Sequence, residues 1–162
     1  MKKILLVILV FISSLCSEEL VLNKKDIEIL KIIKQLHDDT MMRYTLMAIA
    51  IKESSIGKNM INSKSNDYGL FQANIKTILN REKVKDTPEN REYYSNKLLT
   101  DVRYATKNAI IEIKYWLKVH KKNWFKAWAS YNTGWRYKGN TGKKYSEDIA
   151  VIIHTLRNKY KL

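Results

Sequence analysis

From Asn23 onward, apolar residues recur every three to four positions through most of the chain, the spacing of amphipathic helices. Asn23-Lys24-Lys25-Asp26 has the Asn-x-x-acid form of a helix start, with Ile27, Leu30, Ile33 and Leu36 following at helical spacing. A second helix is predicted over 42–53. Residues 54–68 are rich in Ser, Asn, Lys and Gly and read as a loop. A short helix is predicted near 75–80, and Thr87-Pro88-Glu89 starts another with an N-cap and Pro at its first position. A long helix over 101–120 carries Val102, Ala105, Ala109, Ile113 and Trp116 on one stripe. A shorter one over 124–132 stops at Gly134. The last, from about 143, places Tyr145, Ile149, Ile152 and Leu156 on one face. With no repeat and no linker, the pattern predicts a single all-α domain of about six to seven helices. At most a minimal β element is expected near 64–74.

The N-terminus breaks this pattern. Met1-Lys2-Lys3 is followed by an unbroken apolar run over 4–12, then by small residues at Ser14 and Cys16. That is the order of a secretory signal, and the run is well short of the ~20 residues a membrane span needs. Residues 1–16 are therefore expected to be a cleaved signal peptide and 17–162 the working domain, periplasmic or secreted at a bacterial envelope. An uncleaved anchor or a buried N-terminal helix is the alternative. Lipidation at Cys16 fits less well, because Leu15 stands where a lipobox wants a small residue and Ser13 where it wants Leu. No stable membrane insertion is expected once the signal is removed.

Composition narrows the function. The 162 residues hold 30 Lys+Arg against 16 Asp+Glu, a formal charge of +14. Five Gly and one Pro leave too few turns for a β-sandwich, and one Cys excludes a disulfide framework and a Cys-based zinc site. No glycine-rich phosphate loop is present. A basic chain first suggests nucleic acid. Outside the cytoplasm the abundant anionic partners are cell-wall polymers and membrane surfaces, and the lysines are scattered rather than clustered. His37, His120 and His154 are isolated, so no metal and no cofactor is expected.

The chemistry points to Glu53. Met42, Leu46, Ile49 and Ala50 form an apolar stripe that Glu53 continues three residues later. Position alone leaves two readings. Glu53 escapes to solvent or to a lysine at the helix end, or it is a carboxylic acid held among apolar groups with a raised pKa, fit to hand a proton to a leaving oxygen.

The wider context is Glu53-Ser54, then Asp67-Tyr68-Gly69-Leu70-Phe71-Gln72, then Ser130-Tyr131-Asn132-Thr133-Gly134, then Tyr145. In this order the set resembles the catalytic domain of soluble-type lytic transglycosylases, related in fold to goose- and chicken-type lysozymes. Phe71 replaces the family's usual Met and Ser130 its Ala. The resemblance implies Glu53 as catalytic acid/base, Ser54 in support of the site, Gln72 facing the glycan cleft, and Tyr145 close to the acid. Gln72 and Asn132 suit the acetamido group of peptidoglycan glycan strands, and Tyr68 and Tyr131 offer ring faces to sugars. Core filling is the simpler reading for Trp116 and Trp124. Gly69 permits a close approach or positive φ, and Gly134 can end its helix.

Two-carboxylate glycosidases hold their acids about 5–5.5 Å apart when retaining and about 6.5–9.5 Å when inverting. The resemblance implies that one Glu suffices: it protonates the glycosidic oxygen, the N-acetyl oxygen stabilises the anomeric centre, and the Glu then deprotonates the C6 hydroxyl, leaving a 1,6-anhydromuramoyl end. Asp67 complicates this. It matches the second carboxylate of chicken-type lysozyme, yet Asp also occurs here in small transglycosylases of secretion and conjugation machines, and Asp suits a turn. The short stretch between Glu53 and Asp67 limits any lysozyme-like hairpin. The expected activity is non-hydrolytic cleavage of the MurNAc–GlcNAc bond, with a secretion or conjugation apparatus as a possible partner. The alternatives are hydrolysis by Glu53 with Asp67, a non-catalytic wall-binding module, and a nucleic-acid binder.

Overall fold

A computed structural model describes residues 20–162 of the chain. The expected signal peptide, with Cys16, lies outside the described residues. Among the described residues the order is α1 (Lys24–Lys34), α2 (Thr40–Ser54), β1 (Ile61–Asn62), β2 (Asp67–Tyr68), β3 (Ala73–Asn74), α3 (Ile75–Glu82), α4 (Pro88–Thr100), α5 (Val102–Val119), α6 (Trp124–Thr133), a 3₁₀ turn (Gly134–Arg136) and α7 (Asn140–Asn158). The all-α class with a minimal β element is what the periodicity predicts.

The capping signals act as read. Asn23 and Asp26 form a reciprocal capping box on α1, and Thr87 caps α4 with Pro88 at its first position. The last helix begins at Asn140, a turn before the expected start. The reason is that Gly139 at its N-cap supplies no side-chain cap that the sequence could signal.

Helix α2 departs from the one-stripe picture. Leu46, Met47, Ala48, Ile49 and Ala50 are all completely buried. A helix apolar all round must be wrapped on every side. Here α1, α5 and α7 pack around it, and Trp128 of α6 donates its indole N–H to Thr45 Oγ1 at 3.2 Å. Each large side chain so buried contributes roughly 1.5–3 kcal/mol. That is enough for the helix to carry an acid at its end without fraying.

The stretch read as a loop contains the first two strands. β1, β2 and β3 form an antiparallel sheet in that order, pairing Asn62 with Asp67 and Asp67 with Asn74. The sheet spans 61–74 rather than 64–74. Its strands are only two residues long, too short to show an alternating apolar pattern. Asn66, with φ 58°, makes the left-handed turn into β2.

Candidate active site

The last turn of α2 sets the position of Glu53. The helix closes with three successive positive-φ residues, Ser55, Ile56 and Gly57. Ile56 is a costly residue to find there, since a β-branched side chain strains the left-handed region. Two interactions hold the turn: Ile56 is buried, and Ser54 Oγ donates to the Leu70 carbonyl at 2.9 Å while accepting from the Gly57 N–H at 3.0 Å. Ser54 therefore lies beneath the site, completely enclosed, and joins α2 to the segment carrying Gln72. Its hydroxyl is spent on backbone, so Ser54 supports the site, as the resemblance implies, and does not bind substrate.

Glu53 neither escapes to solvent nor pairs with a lysine. Its Oε1 accepts the Tyr145 hydroxyl of α7 at 2.5 Å, while neighbouring Lys52 pairs with Asp148 at 2.8 Å. Burial is the main force raising the Glu53 pKa. The Tyr145 hydrogen bond opposes it, the charge of Asp67 adds to it, and Lys52 opposes it weakly. Burial and the Glu53 charge push the Tyr145 phenol well above its ordinary value, so it remains a donor. Asp148 shows the opposite balance. Burial alone would raise it, but hydrogen bonds from Lys52 and Lys144 outweigh that and hold it below the usual range.

Glu53 stands between two depressions. One, of about 300 Å³, is lined by Glu53, Asp67, Gln72, Tyr131 and Asn132 among others. The other, of about 500 Å³, is lined by Glu53, Asn132, Tyr145, Lys52, Lys144 and Asp148. Glu53 and Asn132 belong to both, so the acid meets space on either side.

Most of the residues singled out in the sequence meet here. Gln72, with φ 48°, donates both amide hydrogens to backbone carbonyls, of Asn59 and Gly69, each at 3.2 Å. Two carbonyl partners identify the nitrogen end and turn the side-chain oxygen into the acceptor available to a ligand. Tyr131 spends its hydroxyl on the Phe71 carbonyl at 3.0 Å, clamping α6 to the same segment, and presents its ring to the cleft. Despite the short connection, the hairpin brings Asp67 into the cleft. Its Oδ1 accepts from Asn74 Nδ2 at 2.8 Å, while Asn74 also caps α3 through Lys76 N–H. Tyr68 is half-buried against the core and does not line the cleft, so its expected role as a sugar platform is not supported by its position. On the pleat, Asp67 and Tyr68 point to opposite faces, and only one can face Glu53.

Gly69 has both properties expected of it. Its φ is +82°, and a Cβ there would lie 2.5 Å from the Leu98 carbonyl of α4. Gly134 has open space around its α-carbon but takes φ 58°, ψ −133°, a conformation reserved for glycine, where α6 ends.

One wall was not foreseen. Arg81 of α3 pairs with Glu112 of α5 at 2.9 Å and donates to Asn108 Oδ1 at 2.7 Å. The same Glu112 accepts the Trp116 indole N–H at 2.8 Å. All four line the cleft beside Gln72. Trp116 is buried as expected, yet it belongs to the cleft wall rather than to the main core cluster. Glu112 and Trp116 at i, i+4 could have been paired from sequence; their meeting with Arg81 depends on tertiary packing that no local motif signals. His120 is bound to Ser130 Oγ at 2.7 Å and stacks on Trp116. Among the described residues no group of His, Cys, Asp and Glu is disposed to hold a metal ion. None of their helices is long and apolar enough to cross a membrane.

Comparison with known proteins agrees with this geometry. The family model described as transglycosylase SLT domain matches residues 31–152. An uncharacterized 20.7 kDa protein in the vs-regB intergenic region of Enterobacteria phage T4 is 34% identical over 117 residues, covering 71% of this chain and 62% of the relative. The match thus spans less than two thirds of that relative's length. No solved structure matches the chain.

Proposed function

The chain belongs to the transglycosylase SLT domain family, and from that premise we propose that it is a peptidoglycan lytic transglycosylase with Glu53 as its single acid and base. The observation that carries this reading is the half-buried Glu53 carboxyl, raised in pKa, bonded to Tyr145 and open to a depression on each side. In this reading the carboxyl is protonated when the glycan arrives, the form that burial favours. It gives its proton to the bridging oxygen as the C1–O4 bond breaks, while the substrate's own N-acetyl oxygen shields the anomeric carbon. The carboxylate then takes the C6 hydroxyl proton as O6 closes on C1, and Glu53 returns to its starting state. Tyr145 stabilises the carboxylate midway through the cycle. The Gln72 side-chain oxygen and the Asn132 amide orient the acetamido group.

Hydrolysis is the second reading, favoured by the one observation that Asp67 shares the cleft with Glu53. Against it, the Asp67 carboxylate is engaged by Asn74. Export through a signal in 1–16 completes the proposal, and N-terminal sequencing of the mature protein beginning near Ser17 checks it.

Glu53→Gln is the direct test of the acid. The amide keeps the volume and the hydrogen bond from Tyr145 but cannot transfer a proton, so turnover of sacculi should fall by about 10²–10⁴-fold or more with fold and glycan binding intact. Near-normal turnover in the folded variant would place the acid elsewhere.

A further inference from the structure

Beyond the acid and its neighbours, a tryptophan at the rim of the cleft has no part in the core. Trp135 is 68% exposed. Single exposed hydrophobic residues are ordinary, so exposure alone means little. What distinguishes Trp135 is how it is held and what it adjoins. Helix α6 ends at Gly134, a cleft-lining residue, and the 3₁₀ turn that follows carries Trp135 outward. Its ring stands edge-on against Trp116, centroids 5.2 Å apart at 77°. Trp116 is itself fixed: its indole N–H is bound to Glu112, and His120 lies nearly parallel to it at 5.9 Å. His120 is tied to Ser130 and packs against Tyr137 at 4.4 Å. Trp135 thus stands just outside the cleft lining, against a fixed wall residue and next to cleft-lining Gly134, with much of its surface facing water.

We propose that Trp135 is a sugar-stacking platform that extends the cleft on the side lined by Trp116 and Arg81. It would take a pyranose unit of the glycan strand remote from the bond being cut. The C–H face of an N-acetylated pyranose is flat and apolar, and a rigid indole covers it with little loss of conformational freedom. The occupant follows from adjacency: Trp135 touches Trp116 and follows Gly134, and both of these line the cleft that holds Glu53. The proposal rests on the glycan-cleaving reading, and its test separates the two.

The measurement uses Glu53→Gln protein, which should bind without turnover, with chitohexaose as the probe, read by calorimetry and tryptophan fluorescence. Adding Trp135→Ala should weaken binding roughly three- to tenfold, the scale of one aromatic contact, and remove most of the fluorescence change. Trp135→Phe should restore most of the affinity. Phe125→Ala, which removes another exposed aromatic ring, one that packs on Trp128 and not on a cleft-wall residue, should change nothing. In protein with intact Glu53, Trp135→Ala should raise KM for sacculi with kcat held. Equal affinity with and without Trp135, or an equal loss from Phe125→Ala, overturns the platform. If Glu53→Gln binds neither chitohexaose nor sacculi while folded, the glycan reading itself falls and the platform with it.

Discussion

The two halves of the cleft are built by opposite means. On the helical side, Glu53 and Tyr145 project from α2 and α7, long helices whose buried apolar residues fix their relation. On the other side, Asp67 and Gln72 sit in a segment with two-residue strands and hardly any apolar pattern. Positive backbone angles at Ser55, Ile56, Gly57, Asn66, Gly69 and Gln72 shape it. Polar side chains hold it, with Ser54 bonded to Leu70, Asn74 to Asp67 and Gln72 to two carbonyls. The helical half creates a desolvated acid, and the polar half supplies hydrogen-bonding groups aimed across at it. A packed core is the better means of excluding water from a carboxyl. A strained, cross-linked loop is the better means of presenting several polar atoms in a small space.

The contrast breaks most readily at the seam. Gly69→Ala forces a Cβ into the Leu98 carbonyl at a positive φ, and should destabilise the protein by about 2–4 kcal/mol. Denaturant unfolding reads this directly. A cost below about 0.5 kcal/mol would mean that the polar half floats free of α4.

Tyr145→Phe sharpens the other side. The lost hydrogen bond to a charged group should cost about tenfold in kcat. The sign of the pH effect follows from the geometry. Tyr145 lowers the Glu53 pKa against the rise caused by burial, so removing its hydroxyl moves that pKa further up. Glu53 must begin protonated, and the alkaline limb of the kcat/KM profile should therefore shift to higher pH. A downward shift would contradict the assignment of Glu53 as the acid.

Asp67→Asn should have the smallest effect. The Asn74 contact can persist with an amide in place of the carboxylate, so sacculi turnover should fall only a few-fold. Because Asp67 helps raise the Glu53 pKa, the alkaline limb should also move slightly down. A nucleophilic or electrostatic role would instead cost about 10²–10³-fold.

The same contrast explains what could be read in the chain. The helices were legible because burial imposes a period of 3.6. Glu53 was legible through the ordered set of Glu53-Ser54, residues 67–72, residues 130–134 and Tyr145, since its position on α2 alone left two readings. The β1–β2 hairpin was not: Ile61-Asn62 and Asp67-Tyr68 are too short to show a period, and their pairing depends on the Asn66 turn. Ser54 was recognised as part of the motif but not as a buried strut, since a hydroxyl on a helix end reads the same whether it meets a ligand or a carbonyl. The Arg81–Glu112–Trp116 wall joins residues from α3 and α5 that only packing brings together. Tyr68 shows the reverse: its residue type suited sugar packing, but its alternation with Asp67 turned it away from the cleft.

The central claim is that Glu53 alone serves as acid and base, with the substrate's own C6 hydroxyl closing the reaction. Mass spectrometry of muropeptides released from purified sacculi in ¹⁸O-labelled water tests it most directly. The account predicts 1,6-anhydromuramoyl ends with no label incorporated. Reducing ends carrying ¹⁸O as the sole product would contradict it and assign the chemistry to Glu53 with Asp67.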